Sequence, residues 1–385
     1  MKILHTSDWH IGKKLNGKTR IDEQREVLGE IAEICERESV DLVLVAGDVY
    51  DTYTPAAEAE ELFFESIEKI ASEKRAVVVI SGNHDDWQRL CAASALASLA
   101  NVYVFGGEKA PAVGSSDRTV YVEKTGKRYC VIRKGDERVY VGALPYPTEK
   151  RFGEVKDDSS FDDKMRRWIA ECFEGNTEKL PQILLSHIYM LGGIGTDNER
   201  QIDLGGTRAV DRKLIPDDIV YTALGHLHKR QIIDSERHII YSGAILEYGF
   251  DEANVEKSVT VFDLVSGKAE NVKTVPLEKG RRLARLTALG AEAAEKLIEE
   301  NAGQWIEMTL YVDSPLSESE TRRLISMKDL AELRIYRTDS VSVEVRADRR
   351  KMDEKTAFVE YYKSCYGCEP PDDLLAAYLS LINKD

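Results

Sequence analysis

Hydrophobic and polar positions predict alternating strands and helices over the first two thirds of the chain. Two Val-rich runs, residues 41–46 and 76–80, lack polar alternation, which is typical of strands covered on both faces. Between them, residues 56–73 carry apolar side chains at helical spacing: Leu62, Phe63, Ile67 and Ile70. Further strand candidates lie at residues 140–144, 183–185, 221–224 and 239–241. The pattern predicts an α/β fold.

The pattern changes near Pro276. From there strand and helix patterns alternate at residues 281–289, 291–300, 305–312, 318–327 and 333–337, which predicts a small α+β unit. Two apolar stripes at helical spacing follow, one from Phe358 to Cys365 and one from Leu374 to Ile382. Pro370-Pro371 breaks the chain between them, so a helical pair is predicted. The sequence therefore divides into residues 1–275, 276–340 and 341–385.

Residues 3–5 form a further strand-like run at the start of the chain. Polar fragments follow this first strand and four of the other predicted strands. They are Asp8-Trp-His10, Gly47-Asp48-Val-Tyr-Asp51, Gly82-Asn83-His84-Asp85, Ser186-His187 and Gly225-His226-Leu-His228. Each fragment alone is compatible with an ordinary surface turn, a strand exit or a hydrogen-bonded pair. Ligand sites in open α/β sheets lie at the carboxyl ends of the strands, so the joint occurrence favours one shared site.

The residue types in these fragments suit a pair of divalent cations. Carboxylate, imidazole and amide oxygen are hard-to-intermediate ligands, and no thiolate is among them. Five of the seven histidines lie in the fragments. We expect His5, inside the first strand, to be hydrogen-bonded and structural, and His238 to be solvated. The glycines before Asp48, Asn83 and His226 would permit sharp turns and close approach.

The order DxH, GDxxD, GNHD, H, GHxH resembles the calcineurin-like metallophosphoesterases. The segments KILHTSDWHIG (residues 2–12), RIDEQ (20–24) and GDVYD (47–51) are similar to the SbcD family, the nuclease components of SbcCD complexes. The resemblance covers essentially the whole chain. Two features depart from it: Asp86-Trp87-Gln88 follows GNHD, and Cys365 and Cys368 form a CxxC.

The resemblance implies a fold and a ligand set. The fold is a two-sheet β-sandwich flanked by helices (1–275), with a capping domain (276–340) and a C-terminal helix-loop-helix (341–385). One manganese ion would be held by Asp8, His10, Asp48 and His228, and the other by Asp48, Asn83, His187 and His226. Iron or magnesium are the alternative metals. His84 would face the phosphate, Asp85 would orient it, and Asp51 would support the site from behind the ligands.

The resemblance also implies an activity and partners. The expected activity is double-strand 3′-5′ exonuclease and single-strand or hairpin endonuclease action on DNA, in replication, repair and recombination. The expected assembly is a homodimer within a heterotetramer with an SbcC-type ATPase, docked by the C-terminal helical pair. Intramolecular packing is the other explanation for the apolar stripes of that pair. We expect a cytoplasmic, nucleoid-associated protein, since no apolar run approaches the roughly 20 residues of a membrane span.

A basic segment follows His10 directly and is a candidate DNA contact. It contains Lys13, Lys14, Lys18, Arg20 and Arg25, and its alternative explanation is a solvated loop. Arg208, Lys229 and Arg230 are further candidates. The net charge of −15 argues against a general nucleic-acid binder, although local basic residues and bound cations offset it near a site.

Three other interpretations stay open from the sequence. A small-substrate phosphatase or phosphodiesterase would share the metal core, but protein Ser/Thr phosphatases of this superfamily carry GNHE and an Arg after GDxxD, where Asp85 and Thr52 stand here. A non-catalytic scaffold would lack ligands, and all seven positions are filled. The six scattered cysteines are predicted to be free thiols; a redox or metal role for the CxxC is the alternative.

Overall fold

The computed structural model describes residues 1–92, 94–148, 159–196 and 209–338, with a few isolated positions beyond residue 357. The strands in these ranges are β1 Lys2–Thr6, β2 Leu42–Ala46, β3 Ala76–Ile80, β4 Val102–Phe105, β5 Val120–Gly126, β6 Tyr129–Lys134, β7 Glu137–Leu144, β8 Gln182–His187, β9 Ile219–Gly225, β10 Gln231–Asp234, β11 Ile239–Tyr241, β12 Ser258–Val265, β13 Lys268–Pro276, β14 Leu283–Leu289, β15 Trp305–Val312 and β16 Leu330–Arg337. The helices are α1 Ile21–Arg37, α2 Ala57–Ile70, α3 Trp87–Ala92, α4 Ser94–Leu99, α5 Phe161–Glu171, α6 Ala291–Glu300 and α7 Glu318–Ser326.

Two mixed sheets form the larger part of the molecule. The first has the order β13-β12-β1-β2-β3-β4, and the second has the order β10-β11-β9-β8-β7-β6-β5. β1 to β4 are parallel to one another, as are β7, β8, β9 and β11. Antiparallel strands complete one edge of the first sheet and both edges of the second. The parallel centre of each sheet confirms the α/β class predicted from the Val-rich runs.

Alternate residues of the central strands face two different cores. In β2, Leu42, Leu44 and Ala46 join a cluster shared with β7, β8 and β9, whereas Val43 and Val45 join a cluster with α1 and α2. The second sheet is also covered on both faces, because its outer face packs against α5. Strands buried on both faces cannot alternate apolar with polar residues, which explains the continuous apolar runs. The result is the predicted β-sandwich flanked by helices.

Helices α1 and α2 bury one face each on the first sheet. In α1 the buried apolar positions recur at helical spacing: Val27, Leu28, Ile31, Ile34 and Cys35. In α2 they are Ala59, Leu62, Phe63, Ile67 and Ile70, which confirms the helix predicted between the two Val-rich strands. The packing is local in sequence, since each helix connects the parallel strands that it covers.

The chain after Pro276 forms the predicted strand-helix-strand-helix-strand unit. Its sheet has the order β14-β15-β16, and helix α7 begins with a capping box in which Ser317 and Glu320 exchange hydrogen bonds. The structure divides into a large unit (Met1–Leu286, Glu300–Glu307 and Lys328–Glu332) and a small unit (Thr287–Glu299, Met308–Met327 and Leu333–Asp385). The first residues of the third sheet therefore belong to the large unit. The division at residues 275 and 340 stays a prediction.

The predicted C-terminal helical pair, with its CxxC, lies almost wholly outside the described residues. Phe358, Val359, Tyr362, Leu374 and Leu375 are the described helical positions there. No helix among the described residues combines the length and the apolar character that a membrane span requires.

Candidate metal centre

Five parallel strands from both sheets end at the same place. β1, β2 and β3 lead into Asp8 and His10, Asp48, and Asn83 with His84; β8 ends at His187, and β9 leads into His226 and His228. All these side chains are buried. Three overlapping groups have donor atoms within 4.8 Å of one another: Asp8, His10 and His228; His10, Asp48 and His84; Asp8, Asp48 and His187. The structure thus brings the predicted ligand positions together in one buried cluster at the strand ends. We call this cluster the cup; it consists of Asp8, His10, Asp48, Asn83, His84, His187, His226 and His228.

The backbone at the strand ends is strained. Asp8, His10 and Asp48 have φ of 52°, 43° and 48°, and His226 has φ of 104°. Residues other than glycine rarely adopt positive φ, and such conformations cluster at functional sites. Each turn sends the side chain into the cup directly after its strand ends.

Two glycines are required by close approach. A Cβ on Gly82 would lie 2.0 Å from Asp48 Oδ1, and one on Gly225 would lie 1.9 Å from the carbonyl oxygen of Ala46. Neither position has room for a larger residue, which gives a physical reason for the glycines of the GNHD and GHxH motifs.

The donor atoms form two groups that share Asp48. In the first, His10 Nε2 and His228 Nε2 are 3.0 Å apart. In the second, Asn83 Oδ1 lies 2.8 Å from His187 Nε2 and 3.0 Å from His226 Nδ1. Asp48 Oδ2 lies 3.7 Å from His10 Nε2 and 3.4 Å from His187 Nε2, between the groups. A carboxylate in this position can bridge two cations.

The hydrogen bonds of His187 indicate that these donor atoms fit a cation. His187 Nδ1 lies 2.7 Å from the carbonyl oxygen of Ala46, so this nitrogen carries the proton in the neutral ring. His187 Nε2 then turns a lone pair toward Asn83 Oδ1 and Asp48 Oδ2, which are acceptors as well. Acceptors facing one another are repulsive unless a positive charge lies between them. A divalent cation supplies that charge.

The pKa shifts of the buried groups also indicate that positive charge is favoured beside Asp48. Burial disfavours a charged imidazole, but the Asp48 carboxylate outweighs it and raises the pKa of His187 to about 9. Burial raises the pKa of Asp8 to about 6, and it lowers the pKa of His226 to about 3. A protonated His187 places positive charge beside the Asp48 carboxylate. Burial also lowers the pKa of His10 well below its usual value, and the neutral imidazole is the form that binds metals.

His84 lies beside His10, and its ring nitrogen contacts Asp51. His84 Nδ1 is 2.7 Å from the carbonyl oxygen of Asp51, and its ring packs edge-on against His10 at 4.7 Å. The Asp51 carboxylate lies 3.6 Å from His10 Nδ1, and its supporting role stays a prediction.

The Asp85 carboxylate binds backbone groups of two loops. Its Oδ2 accepts hydrogen bonds from the backbone N–H groups of Val49 and Gly82, and its Oδ1 accepts one from Tyr50 N–H. The carboxylate therefore fixes the loops after β2 and β3 against each other. His84 Nδ1 lies 2.7 Å from the carbonyl oxygen of Asp51. That Asp85 orients His84 stays a prediction.

Sequence reasoning missed a buried ion pair behind His228. Glu252 Oε1 lies 3.0 Å from His228 Nδ1, and Glu252 Oε2 lies 2.5 Å from Lys257 Nζ. Burial disfavours the charged carboxylate, but Lys257 and His228 outweigh it and lower the pKa of Glu252 to about 2. The pair fixes the tautomer that leaves His228 Nε2 facing the cup. No motif spacing connects Glu252 to His228, so only the fold reveals the contact.

The basic residues after His10 have different surroundings. Lys13 Nζ is 3.1 Å from the Asp51 carboxylate, Lys14 is exposed, and Lys18 Nζ lies 5.2 Å from the centre of the Trp305 ring. Arg25 pairs with Asp22 and Glu65 on α1 and α2.

Arg20 does not fit the expected DNA contact. Its side chain is buried, its guanidinium is 2.7 Å from the Glu23 carboxylate, and it donates to the carbonyl oxygens of Glu247 and Arg281. A guanidinium enclosed in this way is not available to a phosphate. Among the weaker candidates, Lys229 is exposed, Arg230 is half-buried, and Arg208 lies outside the described residues.

The two remaining histidines are structural. His5 is buried, with its ring nitrogens 3.1 Å from Tyr221 Oη and from the carbonyl oxygen of Leu224, as predicted. His238 is half-buried and stacks on Tyr221 at 6.5 Å, so it is less solvated than expected.

Paired imidazole and carboxylate groups at the strand ends of a two-sheet sandwich define a metal-dependent phosphoesterase. The family described as calcineurin-like phosphoesterase matches residues 1–230, and the chain belongs to it. Within that class, a relative from Bacillus subtilis, named as the D subunit of the nuclease SbcCD, is 35% identical over 401 residues, covering 99% of this chain and 97% of the relative.

Two further relatives carry the same name. One from Rhodobacter capsulatus is 32% identical and covers 83% of this chain and 82% of the relative. One from Staphylococcus epidermidis is 32% identical and covers 74% of this chain and 71% of the relative. The chain is a member of the SbcD family.

Proposed function

We propose that this chain is a two-metal DNA nuclease that acts with an SbcC-type ATPase. The observation that supports this most is the position of Asp48, a buried carboxylate between two groups of metal donors. The nuclease names of three relatives over most of the chain support the substrate class.

In this proposal Asp8, His10, Asp48 and His228 hold one ion, and Asp48, Asn83, His187 and His226 hold the other. Manganese is the proposed metal, with iron or magnesium as alternatives, since this ligand set suits several divalent ions. When bound, such a pair activates water as a nucleophile and neutralises charge on the attacking and leaving oxygens.

The chain's own residues bind the phosphate and move a proton. The His84 Nδ1–H donates to the Asp51 carbonyl oxygen, so Nε2 is the atom that exchanges a proton with the substrate. We assign His84 to the phosphate, where it stabilises the developing charge or assists the leaving oxygen. Its position against His10 keeps it beside the proposed ions without requiring it to be a ligand.

Lys13, Lys14 and Lys18 are proposed to contact DNA phosphates, because their segment starts at His10 and phosphate contacts position a strand without reading its sequence. The proposed capping domain (276–340) would assist placement of the DNA. The proposed C-terminal pair (341–385) would dock the ATPase, with a homodimer at the centre of a heterotetramer. Exonuclease action on duplex ends and endonuclease action on single strands or hairpins, in the cytoplasm at the nucleoid, complete the proposal.

The test is cleavage of linear duplex and hairpin DNA with Mn²⁺, with and without the ATPase partner. Asp48→Ala and His84→Ala are compared with wild type, and His238→Ala serves as the histidine control outside the cup. The proposal expects metal-dependent cleavage that the first two changes abolish and the control retains. Absence of DNA cleavage, together with Asp48-dependent turnover of a small phosphodiester, would move the function to the small-substrate class.

A further inference from the structure

The RIDEQ segment has a structural position that the proposed chemistry does not explain. Arg20 precedes α1, and Gln24 lies in its first turn with a fully buried side chain. A buried amide is stable only when its polar atoms are hydrogen-bonded, so the partners of Gln24 indicate its role.

Gln24 binds the loop that carries His10. Its Nε2 donates to the carbonyl oxygen of His10 at 2.8 Å, and its Oε1 accepts from the N–H of Gly12 at 3.0 Å. His10 and Gly12 both have positive φ, of 43° and 93°. The two bonds therefore bracket the strained turn that directs the His10 imidazole into the cup. Nε2 also lies 3.3 Å from Tyr248 Oη, beside the same ring.

Glu23, the residue before Gln24, binds residues at the start of the third sheet. Glu23 Oε1 accepts from Trp305 Nε1 at 2.8 Å, and Glu23 Oε2 accepts from Arg281 N–H at 2.9 Å and from Arg20 at 2.7 Å. The Arg281 guanidinium stacks 3.7 Å from the centre of the Trp305 ring and pairs with Asp329. Trp305 is the first residue of β15, and Arg281 and Asp329 lie just before β14 and β16; we call these three residues the base of the third sheet. All three belong to the large unit. One helical turn thus contacts the His10 loop and the starts of β14 and β15.

The other proposed metal position is held differently. His187 is the last residue of β8, and its Nδ1 is bonded to the carbonyl oxygen of Ala46 at the end of β2. Both are parts of the central sheets, with no contribution from residues 20–24 to that bond. Residues 20–24 therefore support the His10 side of the centre, whereas the central sheets support the His187 side.

We propose that Gln24 is a positioning residue for His10, and that the Arg20–Glu23–Trp305 cluster makes the His10 side of the metal centre depend on the base of the third sheet. The inference rests on the proposed function only in taking His10 and His187 as ligands of different ions. A change at residues 20–24 or at Trp305 then alters one metal position and leaves the other unchanged.

Calorimetric titration of the full-length, metal-free protein with MnCl₂ tests this directly. Gln24→Leu keeps the side-chain size and removes both bonds to the loop. We expect one of the two binding steps to weaken about tenfold or more, as is usual for lost supports of a metal ligand, while the other is unchanged. The electron paramagnetic resonance signal of a coupled manganese pair should give way to that of a single ion at concentrations that fill only the tighter position. Gln88→Leu, on the exposed side of α3, is the matched control.

Trp305→Phe provides a second, milder variant. It keeps an aromatic ring and removes the N–H donated to Glu23 together with part of the buried indole, so the same one-sided weakening is expected at smaller size. Trp305→Phe also replaces Gln24→Leu if that variant fails to fold. The melting temperature measured in EDTA shows whether each variant is folded. Two binding steps as in wild type, or equal weakening of both, would overturn the proposal. A wild type that binds no manganese overturns the two-metal function as well, whereas one that binds two ions and cleaves no DNA contradicts only the nuclease assignment.

Discussion

At the scale of single residues, the centre depends on strained backbone and on glycines with no room for a side chain. Asp8, His10, Asp48 and His226 have positive φ directly after their strands. The surrounding sheets hold these conformations in place, because each strand is buried on both faces. Strain of about 1–3 kcal/mol at each such residue is stable only within a well-packed frame.

Gly82→Ala should abolish metal-dependent activity. The added methyl group overlaps the Asp48 carboxylate, so the shared ligand must move, and overpacking of this kind costs about 1–3 kcal/mol of stability. Gly29→Ala is the control, because Gly29 lies within α1 with open space around its Cβ position and should gain about 0.4–1 kcal/mol. Urea unfolding and Mn²⁺ titration check both; a Gly82→Ala protein with normal metal binding would contradict the packing argument.

Glu252→Gln should destabilise the protein by about 3–5 kcal/mol near neutral pH, because Lys257 is left buried without its counter-ion. The pKa of Glu252 is lowered from 4.5 to about 2. Its contribution is therefore fully present above the unfolded value and is lost as the pH falls through the folded value. Urea midpoints measured from pH 6 downward should show the difference between variant and wild type shrinking below pH 4.5. A difference that is constant with pH would rule out the charge as its cause.

At the scale of elements, parallel strands and the turns after them place the candidate ligands, and Gln24 in the first turn of α1 binds the loop that carries His10. Asp48 and His187 were predictable because each follows an apolar run, and parallel strand ends meet at one edge of a sheet. Gln24 and Glu252 were not predictable, since their partners His10 and His228 are distant from them in any local pattern. Arg20 was misjudged for a related reason: composition cannot tell a buried guanidinium from an exposed one.

Ser317→Ala should loosen helix α7 without affecting the metal centre. Ser317 is the N-cap, and its exchange of hydrogen bonds with Glu320 is worth about 1 kcal/mol. Hydrogen exchange should quicken across α7 and its neighbours in the small unit, while Mn²⁺ affinity stays at the wild-type value. Altered metal binding in this variant would show that the helix contributes to the centre.

At the scale of the whole molecule, the proposed function requires a protein of net charge −15 to bring a polyanion to a buried cup. The positive groups that remain available near His10 are few, because Lys13 is paired with Asp51 and Arg20 with Glu23. In the proposed function, the metal pair would then carry much of the positive charge that the substrate meets. The net charge of the sequence therefore argues against the proposed substrate class, whereas the strand-end motifs favour it.

Lys14→Gln should weaken DNA binding and reduce its salt dependence. Lys14 is exposed, and each phosphate contact on duplex DNA contributes about 0.9 to the slope of log K against log salt. Binding measured over a range of salt concentrations, with catalysis blocked by Asp48→Asn, should show the slope falling by about that amount. An unchanged slope would place Lys14 in a solvated loop away from the DNA.

The account depends above all on Asp48 as the ligand shared by two metal ions. The most direct measurement is anomalous diffraction at the manganese edge from crystals soaked in MnCl₂. We expect two peaks about 3.5–4 Å apart, with one Asp48 oxygen between them, and no pair of peaks in Asp48→Ala crystals. A single peak, or two peaks that persist without Asp48, would contradict the two-metal centre and the nuclease mechanism built on it.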